Sequence, residues 1–198
     1  MAVARRVLVA VLVGLVLATA GLARARSGRD HRTLWLYNVH TGEEIRLRPF
    51  DRHGRPRGVR AARLRRIFRR LHSDRQHPVS PRLLRLLVQV QRHFGGRRIG
   101  LVSGYRAPEG PRRLSSYHQV GRAADISVSG VPHRKVFDYC TTLPRTGCGL
   151  YPVAGSHIHV DARADSAVWV DLSRSGEAAI YVRDVDAWLT SHPDAGGR

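Results

Sequence analysis

Two stretches decide the fold of this 198-residue chain: Ser116–Asp125, which reads SYHQVGRAAD, and His157–Asp161, which reads HIHVD. In the first stretch, six residues separate His118 from Asp125, which is too many for one helical turn. We therefore expect the histidine on a strand or loop and the aspartate on the strand that follows. Gly121 permits a tight turn between them, and the alternation after Asp125 is typical of a strand.

The second stretch alternates with the period of a β-strand. This period places His157, His159 and Asp161 on one face. Two imidazoles and a carboxylate, from His118, His159 and Asp125, suit a borderline divalent cation, and we favour Zn²⁺ because the site needs no redox chemistry. Three protein ligands leave one position for water, as in catalytic zinc sites. The alternative is that Asp125 caps a turn and the histidines fill polar core positions.

The residues around these stretches carry a resemblance. The motif S-x-H-x2-G-x-A-x-D from Ser116 to Asp125 is preceded by SGYR at 103–106 and followed by HVD at 159–161. In this order the three elements resemble the zinc D-Ala-D-Ala metallopeptidases of the lysostaphin and hedgehog superfamily. The segments RTL at 32–34 and HTGE at 40–43 are similar to the subgroup that includes murein endopeptidase K. The resemblance implies an α+β fold with a small central antiparallel sheet and flanking helices.

The resemblance also implies roles around the metal. Arg106 matches an arginine that faces the substrate in relatives, and its guanidinium suits a carboxylate or a tetrahedral oxyanion. Tyr105 and Ser116 are expected beside it as substrate-binding residues, the serine through a hydrogen bond to a peptide terminus or backbone. The alternative for Arg106 and Ser116 is that they only brace their loops.

The general base is the least defined residue of the site. Many relatives carry an acidic residue three positions before the last histidine, where this chain has Ser156, which does not accept a proton usefully at neutral pH. We expect His157 to be the base, because strand alternation turns it toward the side of His159. The murein endopeptidase K subgroup usually has an apolar residue there, which leaves a peripheral role open. Asp161 is expected to orient His159 from behind the metal, and Asp161 or Glu109 is the remaining candidate base.

These residues predict a zinc-dependent endopeptidase that hydrolyses stem-peptide cross-links of peptidoglycan. The closer subgroup match favours an endopeptidase over a D-Ala-D-Ala carboxypeptidase. A non-catalytic, zinc-containing module that binds the cell wall is a further alternative, because the usual acidic base is missing. Nucleic-acid binding is not expected, because the arginines lack an aromatic stacking array or a recognised reading motif.

The first 25 residues are typical of a secretory signal. Arg5 and Arg6 precede an apolar run over 7–22, and the small residues that end at Ala25 offer a cleavage site. The run is shorter than the roughly 20 residues that span a bilayer. We therefore expect an exported, periplasmic protein, with an uncleaved tether to the cytoplasmic membrane as the alternative.

Export changes how the charge and the cysteines are interpreted. The formal charge is +19, and loss of three arginines with the signal leaves +16. Outside the cytoplasm this charge favours anionic cell-wall polymer or lipid headgroups, although arginine-rich genome composition also produces it. In an oxidising compartment, Cys140 and Cys148 could bridge a helix end to the next strand. Two buried free thiols are the alternative, since spacing alone does not establish the geometry of a bond.

Periodicity predicts the remaining elements. We expect a hairpin of two strands over 32–39 and 44–47. Three helices are expected over 59–71, 81–94 and 132–142, and two closing strands over 149–153 and 157–162. A short strand over 99–102 delivers SGYR to a loop. After Trp169 the resemblance fades. We therefore expect a catalytic domain over 26–172 and an extension over 173–198 that contains a hairpin, a short helix and a frayed tail.

Overall fold

The computed structural model describes residues 32–108, 116–155 and 157–197. The signal predicted over 1–25 lies outside this part of the chain, as do Glu109 and Ser156. The strands are β1 (Leu34–Asn38), β2 (Glu44–Leu47), β3 (Ile99–Ser103), β4 (Ala123–Val128), β5 (Thr146–Tyr151), β6 (His157–Ala162) and β7 (Ala167–Val170). The helices are α1 (Gly58–Ile67), α2 (Pro81–His93), α3 (His133–Thr141) and α4 (Val185–Ser191), and a 3-10 helix covers Tyr117–Val120.

The strands form one sheet in the order β2-β1-β3-β4-β6-β5-β7. The predicted α+β class is confirmed, but the sheet is larger than expected and mixed. β3 is parallel to β1 and lies on the side opposite β2, because the long connection through α1 and α2 returns the chain to the end of the sheet at which β1 begins. β7 is parallel to β5, because β6 reverses the chain between them. The other neighbouring strands are antiparallel.

Alternation gives the central strands two different faces. One face carries Ala124 and Ile126 of β4 with Ile158 and Val160 of β6, all fully buried or nearly so. Helices α2 and α3 pack against this side of the sheet and complete the hydrophobic core. The opposite face carries the polar residues of the two motifs, so the core and the polar site use alternate residues of the same strands.

Gly121 fixes the first motif to the rest of the fold. It ends the 3-10 helix in the left-handed conformation, with φ of +62°. A Cβ atom at this position would collide with the carbonyl oxygen of Pro78. The Gly121 carbonyl accepts a hydrogen bond of 2.8 Å from the backbone N–H of Ser80, which caps α2. The expected turn is therefore also a contact with the start of a core helix.

Two elements differ from their predicted bounds by three residues or more. Helix α1 ends at Ile67 instead of Leu71, because the chain then turns and Arg70 N–H donates to the carbonyl of Arg75. Strand β5 begins at Thr146, three residues before the predicted start at Gly149. Glycine is depleted in strands and weakens the alternating pattern, which hid the first half of β5.

The C-terminal extension is anchored to the domain. Beyond β7, Asp171 and Tyr181 form an isolated antiparallel bridge, and apolar residues of α4 pack on the core. The tail expected to fray instead contacts α3, since the Gly196 carbonyl accepts a hydrogen bond of 3.3 Å from Arg134 N–H.

A disulfide joins α3 to β5. It links Cys140 near the end of the helix with Cys148 in the strand, and their Cα atoms are 6.0 Å apart. Among the helices of the described residues, none has the length and apolar character needed to cross a membrane.

Candidate metal centre

Three side chains converge on one point at the polar face of the sheet. His118 comes from the 3-10 helix, Asp125 from β4 and His159 from β6. The distance from His118 Nε2 to His159 Nδ1 is 3.2 Å. Asp125 Oδ1 lies 3.0 Å from His159 Nδ1 and 3.3 Å from His118 Nε2. All three residues are buried.

This triangle has the dimensions of a metal site. A tetrahedral cation with bonds of about 2.0–2.1 Å holds its ligand atoms roughly 3.3 Å apart. Two nitrogens and one carboxylate oxygen at 3.0–3.3 Å match three corners of such a tetrahedron. The group can therefore hold a metal ion and leaves a fourth position for another ligand.

Hydrogen bonds on the far sides of the imidazoles fix their orientation. His118 Nδ1–H donates to the Gly104 carbonyl at 2.6 Å, which leaves the Nε2 lone pair at the centre. His159 Nε2–H donates to Asp161 Oδ2 at 3.0 Å, which leaves its Nδ1 lone pair there. Metal-binding histidines are commonly held in this way by a carbonyl or a carboxylate. Asp161 thus occupies the orienting position that we expected from the sequence.

Arg163 extends this support and was missed at the sequence level. Its Nε donates to Asp161 Oδ1 at 2.7 Å, and its Nη2 contacts Oδ2. Burial opposes ionisation of Asp161, but the hydrogen bonds from Arg163 and His159 outweigh it and lower the pKa of this carboxyl. The signal was present in the sequence, because Arg163 continues the alternation of His159 and Asp161.

The environment also keeps Asp125 ionised. Burial alone would raise its pKa, but His118 and His159 hold the pKa well below the usual range. The same contacts act on His159: burial lowers its pKa, and the hydrogen bonds to Asp125 and Asp161 raise it above the ordinary value. The centre therefore contains an ionised carboxylate, which is the form in which this group binds a divalent cation.

Arg106 and Ser116 both line the cavity in front of the triangle and also brace it. The Arg106 guanidinium contacts Asp125 Oδ2, and its Nε donates to Ser103 Oγ at 2.9 Å. About half of the Arg106 side chain is exposed. Ser116 Oγ accepts a hydrogen bond of 3.3 Å from His118 N–H at the start of the 3-10 helix.

Tyr105 lies elsewhere. Its ring stacks on His77, with centroids 5.2 Å apart, and it is not among the described residues that line the cavity. The expectation that Tyr105 binds substrate beside Arg106 is therefore not supported. Neighbouring residues of an extended segment point to opposite sides, so Tyr105 and Arg106 face different surroundings.

His157 faces the cavity on the same side as His159. Its ring stacks on Tyr151 with centroids 4.9 Å apart and an interplanar angle of 16°. Burial lowers the pKa of His157 below its ordinary value of 6.5, against the opposing influence of Asp125. The imidazole is therefore unprotonated at neutral pH and able to accept a proton.

Two aromatic residues that the sequence did not single out complete this side of the cavity. Trp169 Nε1 donates to the Tyr151 hydroxyl at 3.1 Å, and the Trp169 ring lies 5.2 Å from that of His159. The ring fits because Gly149 lies beneath it, where a Cβ atom would collide with the indole. Burial is the main reason that the pKa of Tyr151 rises to about 12, so its hydroxyl stays protonated.

The cavity has a volume of about 540 Å³. One of its walls comes from the C-terminal extension. The residues that supply this wall include Ser173, Arg174, Glu177 and Tyr181. No function could be predicted for this segment from the sequence, since its place at the cavity depends on the pairing of β7 with β5.

The family model described as peptidoglycan L,D-endopeptidase MepK matches residues 26–166 of the chain. The chain belongs to this family. The peptidoglycan L,D-endopeptidase MepK of Escherichia coli (strain K12) is 29% identical over 156 residues, which cover 74% of this chain and 84% of the relative. The probable peptidoglycan L,D-endopeptidase MepK of Haemophilus influenzae is 30% identical over 144 residues, which cover 66% of this chain and 75% of the relative. No solved structure matches the chain.

Family membership confirms the resemblance found in the sequence, including the subgroup. The family is one of peptidoglycan endopeptidases, so the predicted class of enzyme agrees with it. The match contains the triangle, Arg106, Ser116 and the Asp161–Arg163 pair. It ends at residue 166, immediately before β7, so Trp169 and the C-terminal wall lie beyond it.

Proposed function

We propose that this protein is an exported, zinc-dependent peptidoglycan L,D-endopeptidase. The observation that carries the proposal is the triangle of His118 Nε2, Asp125 Oδ1 and His159 Nδ1, with edges of 3.0–3.3 Å, in a chain of the MepK family. The names of the relatives supply the substrate class, an amide in the stem peptides of peptidoglycan.

Zinc is the proposed ion because of the donor set. Two imidazole nitrogens and one carboxylate at tetrahedral spacing, with an open fourth position, are typical of catalytic zinc in hydrolases. When bound there, Zn²⁺ would supply an activated water and polarise the scissile carbonyl. The Asp161–Arg163 pair holds His159 in the orientation that this requires.

The remaining steps fall to side chains of the cavity. His157 is unprotonated at neutral pH, and we assign its imidazole the role of accepting the proton released by the attacking water. Arg106 remains half exposed, and its guanidinium is placed to stabilise negative charge on the carbonyl oxygen. Ser116 is assigned to a hydrogen bond with the peptide backbone of the substrate.

Export to the periplasm, with or without removal of the signal at residues 1–25, is part of the same proposal. The disulfide between Cys140 and Cys148 supports it, because such bonds persist mainly in oxidising compartments. The high positive charge favours retention at an anionic wall or membrane surface.

The test uses purified sacculi and two defined cross-linked dimers, one joined through an L,D amide and one through a D,D amide. The zinc-loaded protein should release monomers from the L,D dimer and from sacculi, as followed by mass spectrometry. A chelator should abolish release, and added Zn²⁺ should restore it. Cleavage of neither dimer by protein shown to contain zinc would contradict the proposal.

A further inference from the structure

Among the described residues, three arginines line the cavity, and they differ in whether a carboxylate pairs with them. Arg106 contacts Asp125, and Arg163 forms a bidentate pair with Asp161. Both of these guanidiniums therefore share their charge with a carboxylate of the candidate metal centre. Arg174 lines the same cavity and is exposed, and its guanidinium has no acidic partner within the described ranges. Its positive charge is thus available to a ligand.

The segment that carries Arg174 is held in place by hydrogen bonds from its backbone, most of them to the Asp171 side chain. The buried carboxylate of Asp171 accepts hydrogen bonds from Ser173 N–H at 2.9 Å and from Ile180 N–H at 3.0 Å. Leu172 N–H donates to the Ile180 carbonyl at 2.9 Å and closes the segment across its base. The position of the wall therefore does not depend on the Arg174 side chain.

Within the segment, the turn next to the cavity is also fixed. Glu177 accepts a hydrogen bond of 2.9 Å from the backbone N–H of Arg174, and Glu177 N–H donates to the Arg174 carbonyl at 3.1 Å. These bonds use the backbone of Arg174 and leave its side chain free. Tyr181, whose residue surface is 61% exposed, lines the cavity at the other end of the segment.

We propose that residues 173–181 form a substrate subsite in which Arg174 binds a free carboxylate of the stem peptide and Tyr181 packs against the peptide chain. An arginine fork binds a carboxylate through two parallel charged hydrogen bonds, and an aromatic ring offers a flat surface to an extended peptide. The inference rests on the proposed function. It goes beyond family membership, because the family match ends at residue 166.

Steady-state kinetics on a soluble stem-peptide dimer test this subsite. Arg174→Ala should raise KM by about tenfold and leave kcat within about twofold, since the proposed contact is with a carboxylate of the substrate and not with the scissile amide. Arg183→Ala is the matched control, because Arg183 is an exposed arginine just after the segment and does not line the cavity. It should leave both constants unchanged.

A second substrate, with its free carboxylates converted to amides, identifies the chemistry that Arg174 recognises. Amidation should raise KM about tenfold for the wild type and have little effect on Arg174→Ala, because the two changes remove the same contact. Additive effects of amidation and substitution would overturn the assignment, as would an Arg183→Ala effect equal to that of Arg174→Ala.

Binding to metal-free protein separates this inference from the proposed function. Trp169 lies in the cavity, so its fluorescence reports binding of an uncleaved peptide. If metal-free Arg174→Ala binds the peptide more weakly than metal-free wild type, the subsite is supported. If the zinc-loaded wild type also cleaves nothing, the proposed activity is contradicted while the subsite stands. Equal binding by the two proteins would overturn the subsite whether or not the wild type cleaves.

Discussion

The Cα atoms of Asp125 and His159 are paired directly across β4 and β6. This register brings the two side chains together, with the carboxylate oxygen 3.0 Å from Nδ1 of the histidine. Two of the three candidate ligands therefore lie on paired central strands, and His118 joins them from the 3-10 helix before β4. Ligands on strands are held more firmly than ligands on loops, which suits a site that must keep an open position.

The first prediction concerns the ligands. His118→Ala and His159→Ala should each lose most of the metal, whereas the wild type should hold about one equivalent of zinc by elemental analysis. His53→Ala is the control, because His53 lies in an exposed loop and should not affect the metal content. Retention of a full equivalent in both ligand variants would show that the ion binds elsewhere.

A second prediction concerns support of the metal by Asp161. Asp161→Ala removes the acceptor of His159 Nε2–H and should weaken zinc binding by about 10–100-fold. Asp161→Asn should lie between this variant and the wild type, because an amide oxygen accepts the hydrogen bond without the charge. Competition with a chromophoric chelator measures the affinities, and circular dichroism checks folding. An unchanged zinc affinity in folded Asp161→Ala would show that Asp161 does not support metal binding.

The third prediction concerns the proton acceptor. His157→Ala should keep zinc and fold but lose at least about tenfold in muropeptide release, since general acid–base help is typically worth about 10²–10⁴-fold. His157→Gln should be no better, because an amide does not exchange the proton. Wild-type turnover in a zinc-loaded His157→Ala enzyme would transfer the role to Asp161 or to Glu109, which lies outside the described residues.

The fourth prediction is a pH dependence of stability from Asp171. Burial raises the pKa of this carboxyl, but backbone hydrogen bonds from Ser173 and Ile180 lower it below the ordinary value of 3.8. The unfolded state then binds more protons, so the contribution is complete above pH 3.8 and is lost as the pH falls through the lower folded value. Thermal unfolding of Asp171→Asn should show a flatter dependence in this range than the wild type. Parallel curves for the two proteins would contradict it.

The disulfide gives the fifth prediction. Closing the short loop between Cys140 and Cys148 should add about 2–3 kcal/mol to the free energy of unfolding. Denaturant unfolding with and without reductant measures this difference, and a Cys140→Ser, Cys148→Ser variant should be insensitive to reductant. Protein isolated from the periplasm should show no alkylated thiols without prior reduction. Two labelled thiols would refute the bond in the exported protein.

The sequence predicted the triangle because its signals are local. Alternation in HIHVD places His159 and Asp161 on one face without knowledge of the fold, and the small residues after His118 indicate a turn into a strand. The same alternation could also have predicted the position of Arg163. It could not predict those of Arg174 and Trp169, which line the cavity because β7 pairs with β5, and this pairing is not visible in the local sequence.

The glycines of β5 and the SGYR segment show two other points at which prediction from the sequence fails. Gly149 makes room for the Trp169 ring, but in the sequence it only weakens a strand pattern. The resemblance of the SGYR segment implies that Tyr105 binds substrate, yet its ring stacks on His77. The motif predicts which residues form the candidate metal centre better than it predicts the direction of their neighbours.

The C-terminal wall adds to the sheet at its outer side. Residues 167–197 follow the matched residues 26–166 in sequence, pair with β5, pack α4 on the core and leave the order of β4, β6 and β5 unchanged. In the proposed subsite, the residues that bind the peptide follow the matched family domain, whereas the candidate metal ligands lie within it. A change at the end of the chain would then alter the peptide that is bound and leave the candidate metal ligands as they are.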